Sequence, residues 1–234
     1  EDGLLNWTQG DDPADDLLFA GTLGRGAFTF ADASTGGTVL LTAGQQDAVF
    51  DLRSTDSTVT FSAGFLTFNG FENVSGGNAN DTFNVLNNVS VDILGNGGMD
   101  TVNVGAGLTL TGTVNTGDGD DSVVLGDGAN ITVNGGGTIE LGDGNDSVVF
   151  GDSATVGDAG NSVTIVGNTG SDSLSFSGYT TARDVTLTGA NLATGFSGTE
   201  VAIFGQFTGI DVLGGSTSVS PQRDVLRGLA ANSA

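Results

Sequence analysis

The sequence predicts an all-β chain wound as a right-handed parallel β-solenoid, about 19–26 residues per coil. Five times between Phe71 and Phe176 a Gly/Asn-rich turn leads into an aspartate, and the aspartate opens a short β-prone run. Asp81 opens DTFNV, Asp100 DTVNV, Asp121 DSVVL, Asp146 DSVVF and Asp172 DSLSF. The steps between them are 19, 21, 25 and 26 residues. Such a recurrence marks stacked units that cannot bury their apolar faces alone. Glycine supplies 41 of 234 residues, with only two prolines and no G-x-y period, which excludes collagen. The alternating Val, Leu, Phe and Thr runs exclude simple disorder.

In chain order, residues 1–36 read as an irregular N-terminal coil or cap. DDPADD at 11–16 is an exposed acidic loop in which Pro13 prevents a central strand. LLFAG and GAFTFA flank Gly24 as two strands, with Phe28 and Phe30 alternating onto one side. From Thr38 the segments TVLLTA, AVFDLRS, STVTFSA and LTFNGFENV are short strands separated by turns. Alone they would also suit a sandwich, but the turn–Asp–strand recurrence favours a solenoid over 37–215. The best-formed coil is 131–153, with strands at 131–133, 138–141 and 147–150 and hence three faces. Extra residues of the longer repeats belong in corner loops, where insertion costs little. About nine or ten coils would make a rod of roughly 45 Å. Toward the end, FTGIDVLGG (207–215) reads as an echo of FENVSGG (71–77), and 216–234 as a tail or a linker to a further unit.

The formal charge is −23, from 28 acidic residues against five arginines, with no lysine or histidine. Phosphate binding needs Lys/Arg clusters, so a nucleic-acid partner is excluded, as is attraction to an anionic membrane. No apolar run reaches the length of a membrane span, so no membrane insertion is expected. EDGLLNW is not a signal peptide, so the chain is expected to begin inside a longer polypeptide. Cysteine is absent, so disulfides, zinc-thiolate sites and Cys nucleophiles are impossible. So many carboxylates repel one another unless salt or divalent cations offset them. The composition fits a bacterial extracellular or cell-surface setting where calcium is plentiful.

The chemistry concentrates in GDGDD (117–121) and GDGND (142–146). Calcium takes six to eight oxygens in flexible geometry, and glycine at positive φ lets backbone carbonyls turn toward an ion. Two such turns stacked on one edge would each supply half a shell, which nominates Asp118, Asp120, Asp121, Asp143, Asn145 and Asp146 as metal ligands. The competing reading is that Gly, Asn and Asp are simply what tight corners require. Asparagines outside the turns, among them Asn103, Asn115 and Asn130, are candidates for hydrogen-bonded ladders between coils.

GDGDDSVVL and GDGNDSVVF, and more weakly GNANDTFNV, GNGGMDTVN and GNTGSDSLS, resemble the glycine- and aspartate-rich nonapeptides of RTX proteins, the calcium β-roll family of secreted bacterial toxins, proteases and adhesins. The resemblance implies Ca²⁺ held by the fourth to sixth residues of each turn with main-chain carbonyls. RTX nonapeptides run back to back, whereas here one turn occurs per repeat, and Asn or Met often replaces a ligand Asp. FENVSGGNANDTF, VTLTGANLATGF and FSGTEVAIFGQFTGIDVLGG are similar to repeat regions of very large bacterial surface adhesins.

No pattern singles out an enzyme site. With 28 carboxylates some pair is always close, so proximity is uninformative, and histidine is missing. Phe50, Phe61, Phe68, Phe71, Phe83, Phe150 and Phe176 recur in strands as core residues. GTLGRG lacks the lysine and helix of a phosphate loop, and no Thr-x-Thr pattern persists as an ice-binding face would need. The expectation is a structural or adhesive module of an extracellular bacterial protein, stabilised by calcium and contacting a cell-surface or extracellular-matrix component. Homotypic end-to-end association through open terminal coils fits the same reading, and residues 1–36 are its first candidate ligand-binding segment. The alternative is a β-helix that binds or acts on polysaccharide.

Overall fold

The alternation of Val, Phe and Leu with Thr, Ser and Asn turns one side of each short run inward, and that pattern organises the molecule. The computed structural model describes residues 17–21, 27–31, 40–43, 45–62, 64–191, 194–218 and 223–228. Among them the chain is all-β, in a sixteen-stranded and a nine-stranded sheet built mainly by parallel pairing.

Strands fall into rows, one strand per repeat. The first row holds Leu40–Thr42, Asn73–Gly77, Asp92–Asn96, Val114–Asp118, Gly137–Asp143, Val163–Thr169 and Ile203–Ile210. The second row, in the other sheet, holds Val49–Leu52, Thr82–Val85, Thr101–Val104, Ser122–Leu125, Ser147–Phe150, Ser173–Ser175 and Val212–Gly214. A shorter third row holds Val89–Ser90, Thr109–Thr111, Asn130–Thr132 and Thr155–Val156. Corresponding residues pair across repeats, as in Phe83 with Val102, Val102 with Val123 and Val123 with Val148.

The three strands expected in 131–153 are present as Asn130–Thr132, Gly137–Asp143 and Ser147–Phe150. The extra residues of the longer repeats sit in the corner between third and first rows: 112–113 in one repeat, 133–136 in the next, 157–162 in the one after. The expected nine or ten coils become seven parallel positions per long row among the described residues. Residues counted toward coils form antiparallel additions instead. Ser57–Phe61 and Gly64–Phe68 continue from Val49–Leu52 as a meander. Asp184–Asn191 and Gly195–Glu200 form a hairpin against Ile203–Ile210. Val225–Arg227, in the segment read as a tail, pairs parallel with Asp184–Asn191. Leu17–Gly21 and Ala27–Ala31 pair antiparallel as the strands flanking Gly24 should. DDPADD lies outside the described residues, as do the side chains of Phe28 and Phe30.

The core runs along the stack. Phe50 lies on Phe83 with centroids 4.8 Å apart, and Phe150 on Phe176 at 4.9 Å. Phe68 is buried as well, while Phe61 and Phe71 pack half-buried against the core. Phe68 and Phe71 meet edge to face at 5.4 Å. In-register aromatic stacking adds geometry-specific attraction to the apolar burial. Asn103 donates to Asn84, and Asn84 to Asp51, which makes one of the anticipated ladders. At the C-terminal side Arg183 pairs with Glu200 in the interior and lies 3.9 Å above the Tyr179 ring.

Candidate functional site

Each aspartate that opens a second-row strand sits at an inward-turning corner, because the Gly-rich segment before it swings the chain round the edge of the core. Asp81, Asp100, Asp121, Asp146 and Asp172 are all buried. They form a column with a direction. The Asp81 N–H donates to Asp100 Oδ1 at 2.7 Å, Asp100 N–H to Asp121 Oδ1 at 2.7 Å, Asp121 N–H to Asp146 Oδ1 at 2.8 Å, and Asp146 N–H to Asp172 Oδ1 at 2.9 Å. Ala48 N–H caps one end on Asp81 Oδ1, and Asp172 N–H reaches Asp211 at the other.

The second oxygen of each of the five carboxylates is buried and accepts nothing. At Asp81, Asp100 and Asp172 it faces the glycine five residues earlier (Gly76, Gly95 and Gly167) and a carbonyl of the following repeat. A Cβ on Gly95 would stand 2.3 Å from Asp100 Oδ2 and 2.1 Å from the Thr116 carbonyl oxygen. At Gly167 it would meet Asp172 Oδ2 at 2.5 Å and the Gly209 carbonyl at 2.0 Å. Two kinds of acceptor thus converge without a donor, an arrangement that costs free energy unless a proton or a cation enters it.

The electrostatics agree. Burial pushes Asp81 and Asp172 up to about 6 and Asp100 and Asp146 up to about 7, against the opposing pull of the backbone N–H each accepts. Asp121 is raised for the same reason. Neighbouring carboxylates add to the rise at Asp100 and Asp146.

The six nominated ligands divide. Asp121 and Asp146 stand in this inner column, whereas Asp118, Asp120, Asp143 and Asn145 are exposed. The first-row strands run on through Asp118 and Asp143, so these two pair in register on an outer surface. Asp120 Oδ1 accepts both the N–H and the side-chain amide of Asn145, at 2.8 and 3.0 Å. The outer turn residues therefore make a second ladder, continued by Asn145 Oδ1 accepting Ser171 N–H. It occurs again where Asp47 holds Asn80 and Asn80 holds Met99. Among the described residues no three His, Cys, Asp or Glu side chains gather as a metal-holding group. The inner donor set is instead one carboxylate per repeat plus main-chain carbonyls, all oxygen and buried.

Sequence reasoning treated Asp81, Asp100 and Asp172 as strand openers and did not nominate them. Their signal was the one that revealed the repeat, an Asp with a glycine five positions earlier at Gly76, Gly95 and Gly167. Asp211 was missed because FTGIDVLGG does not repeat FENVSGG. Phe207 and Thr208 pair in the first row with Ile165 and Val166, while Val212–Gly214 pairs in the second with Ser173–Ser175. Asp211 thus follows Asp172 after 39 residues, the hairpin having been inserted between them. Comparison with protein-family models, with curated proteins and with solved structures returned no match.

Proposed function

We propose that the chain is a stretch of right-handed parallel β-solenoid acting as a structural, adhesive module of an extracellular bacterial protein, with calcium held along its inner aspartate column. The observation that carries this reading is the column of five buried carboxylates, each with one oxygen lacking a donor. Asp81, Asp100, Asp121, Asp146 and Asp172, with the carbonyls facing them, would hold the ion. When bound it supplies positive charge where 28 acidic residues repel one another. The chain's own part is to fix each Oδ1 on a neighbouring N–H and to keep water out of the corner. Asp118 and Asp143, exposed and in register, form a weaker outer shelf for cations. A ligand bound only by the folded state stabilises it by mass action, so the module would be firmest where calcium is high.

The regular rows support a spacer role, and the −23 charge supports solubility outside the cell. The partner on this reading is a cell-surface or matrix component. Thermal melting by circular dichroism in EGTA, in millimolar calcium, and in magnesium at matched ionic strength tests the proposal. A rise in melting temperature with calcium alone supports it. Equal response to both ions removes calcium from the account.

A further inference from the structure

The third row begins at Val89–Ser90, and no described strand pairs with its outer edge. In the preceding repeat the chain leaves Leu52 for the Ser57–Phe68 meander instead of adding a third-row strand. A cavity of about 300 Å³ stands where that strand would lie, lined among others by Arg53, Ser57, Phe68, Asn88, Val89 and Ser90. The scale matches the row, whose strands are two and three residues long.

Two observations show what the cavity lacks. Val91 donates its N–H to the Thr111 carbonyl. Alternate residues of a parallel ladder face opposite neighbours, so the Ser90 N–H and C=O point away from Thr109–Thr111 and into the cavity. Val89 is the end of an inward apolar column through Leu110, Ile131 and Val156. Those three are fully buried, but Val89 is only partly buried. The edge lacks both a hydrogen-bonding partner and one aliphatic side chain.

We propose that this vacancy is a β-augmentation site that accepts a short extended peptide of a partner protein, with one aliphatic residue between small polar ones. The added segment pairs with Ser90, sets its aliphatic side chain over Val89, and places its polar neighbours outward, as Thr109 and Thr111 flank Leu110. Strand addition draws affinity from main-chain bonds and specificity from alternate side-chain seats. The lining carries one guanidinium, Arg53, whose charge is offset by Asp51 at 3.2 Å, and no carboxylate, so a neutral segment fits the site. Calcium plays no part in the recognition.

The test is NMR titration of the ¹⁵N-labelled chain with the acetylated, amidated hexapeptide GLTLTG, the sequence of residues 107–112. Saturable shifts at Ser90 and its neighbours, with slowed exchange of the Ser90 amide, are expected. Ser90→Pro removes the edge N–H and Val89→Lys charges the apolar seat; each should weaken binding at least tenfold while amides at Ile131 and Val148 keep their shifts. Should Ser90→Pro disturb the fold, Val89→Lys alone decides. The proposal is overturned if no saturable shift occurs, if GLTDTG binds equally, or if Val89→Lys binds as the parent does. Shifts produced by a neutral oligosaccharide such as maltohexaose, with the peptide inert, would also overturn it and make the cavity a glycan site.

Discussion

The carboxylate of Asp146 accepts the backbone N–H of Asp121 across 25 residues of chain, so one repeat fixes the corner of the one before it. One residue away the bond runs the other way, with Asp120 accepting from Asn145. This corner is therefore tied from both sides, inside by a carboxylate reaching back and outside by a side chain reaching forward.

Asp100 tests the inner tie and the orphan oxygen separately. Asp100→Ala strands the Asp81 N–H, and urea denaturation should find a loss of about 1–3 kcal/mol. Asp100→Asn keeps an acceptor for Asp81 and offers an amide to the Thr116 carbonyl side. In EGTA this variant should equal or exceed the parent in stability, and its calcium-induced rise in melting temperature should be smaller than the parent's.

The inner column also sets a pH dependence in calcium-free buffer. The folded carboxylates titrate near 6 to 7, above their ordinary 3.8. The folded chain therefore binds more protons than the unfolded one inside that window, and its stability falls as pH rises. The contribution is fully present below about pH 4 and lost by about pH 7. Urea midpoints in EGTA should be lower at pH 8 than at pH 5, and Asp100→Asn combined with Asp146→Asn should flatten the difference.

Gly144 has φ +147°, and a Cβ there would stand 1.8 Å from the Gly119 carbonyl oxygen. Gly144→Ala must displace a backbone, at a cost of about 1–3 kcal/mol. At Gly160 the nearest atom is 3.6 Å away and φ is ordinary, so Gly160→Ala should leave the chemical denaturation midpoint nearly unchanged.

Met99 interrupts the outer ladder. Its own N–H donates to Asn80 Oδ1, but its side chain has no oxygen to offer the Asp120 N–H in the next repeat, and the residue is 57% exposed. Met99→Asn restores the acceptor, and its thermal unfolding should show a gain of roughly 0.5–1.5 kcal/mol.

The β class, the parallel repeat and the three strands per turn were legible because alternation and spacing are properties of the chain itself. Asp121 and Asp146 could be nominated from GDGDD and GDGND, but nothing in those letters separates them from Asp118 and Asp143. The separation arises from strand continuation: the first-row strands carry Asp118 and Asp143 onto the outer surface before the chain turns. The meander after Leu52 and the hairpin before Ile203 were hidden for a related reason. Their residues have the same strand-forming character as the repeats, and only pairing direction distinguishes them.

The inner column also has an arrow in time. Every aspartate amide from Asp81 to Asp146 is completed by a carboxylate 19 to 26 residues later in the chain. A polypeptide emerging N-terminus first therefore carries one open corner at its growing end, closed only when the following repeat arrives. Asp211 ends the sequence by accepting the Asp172 N–H, while its own N–H turns back to the Asp172 carbonyl and asks for no successor.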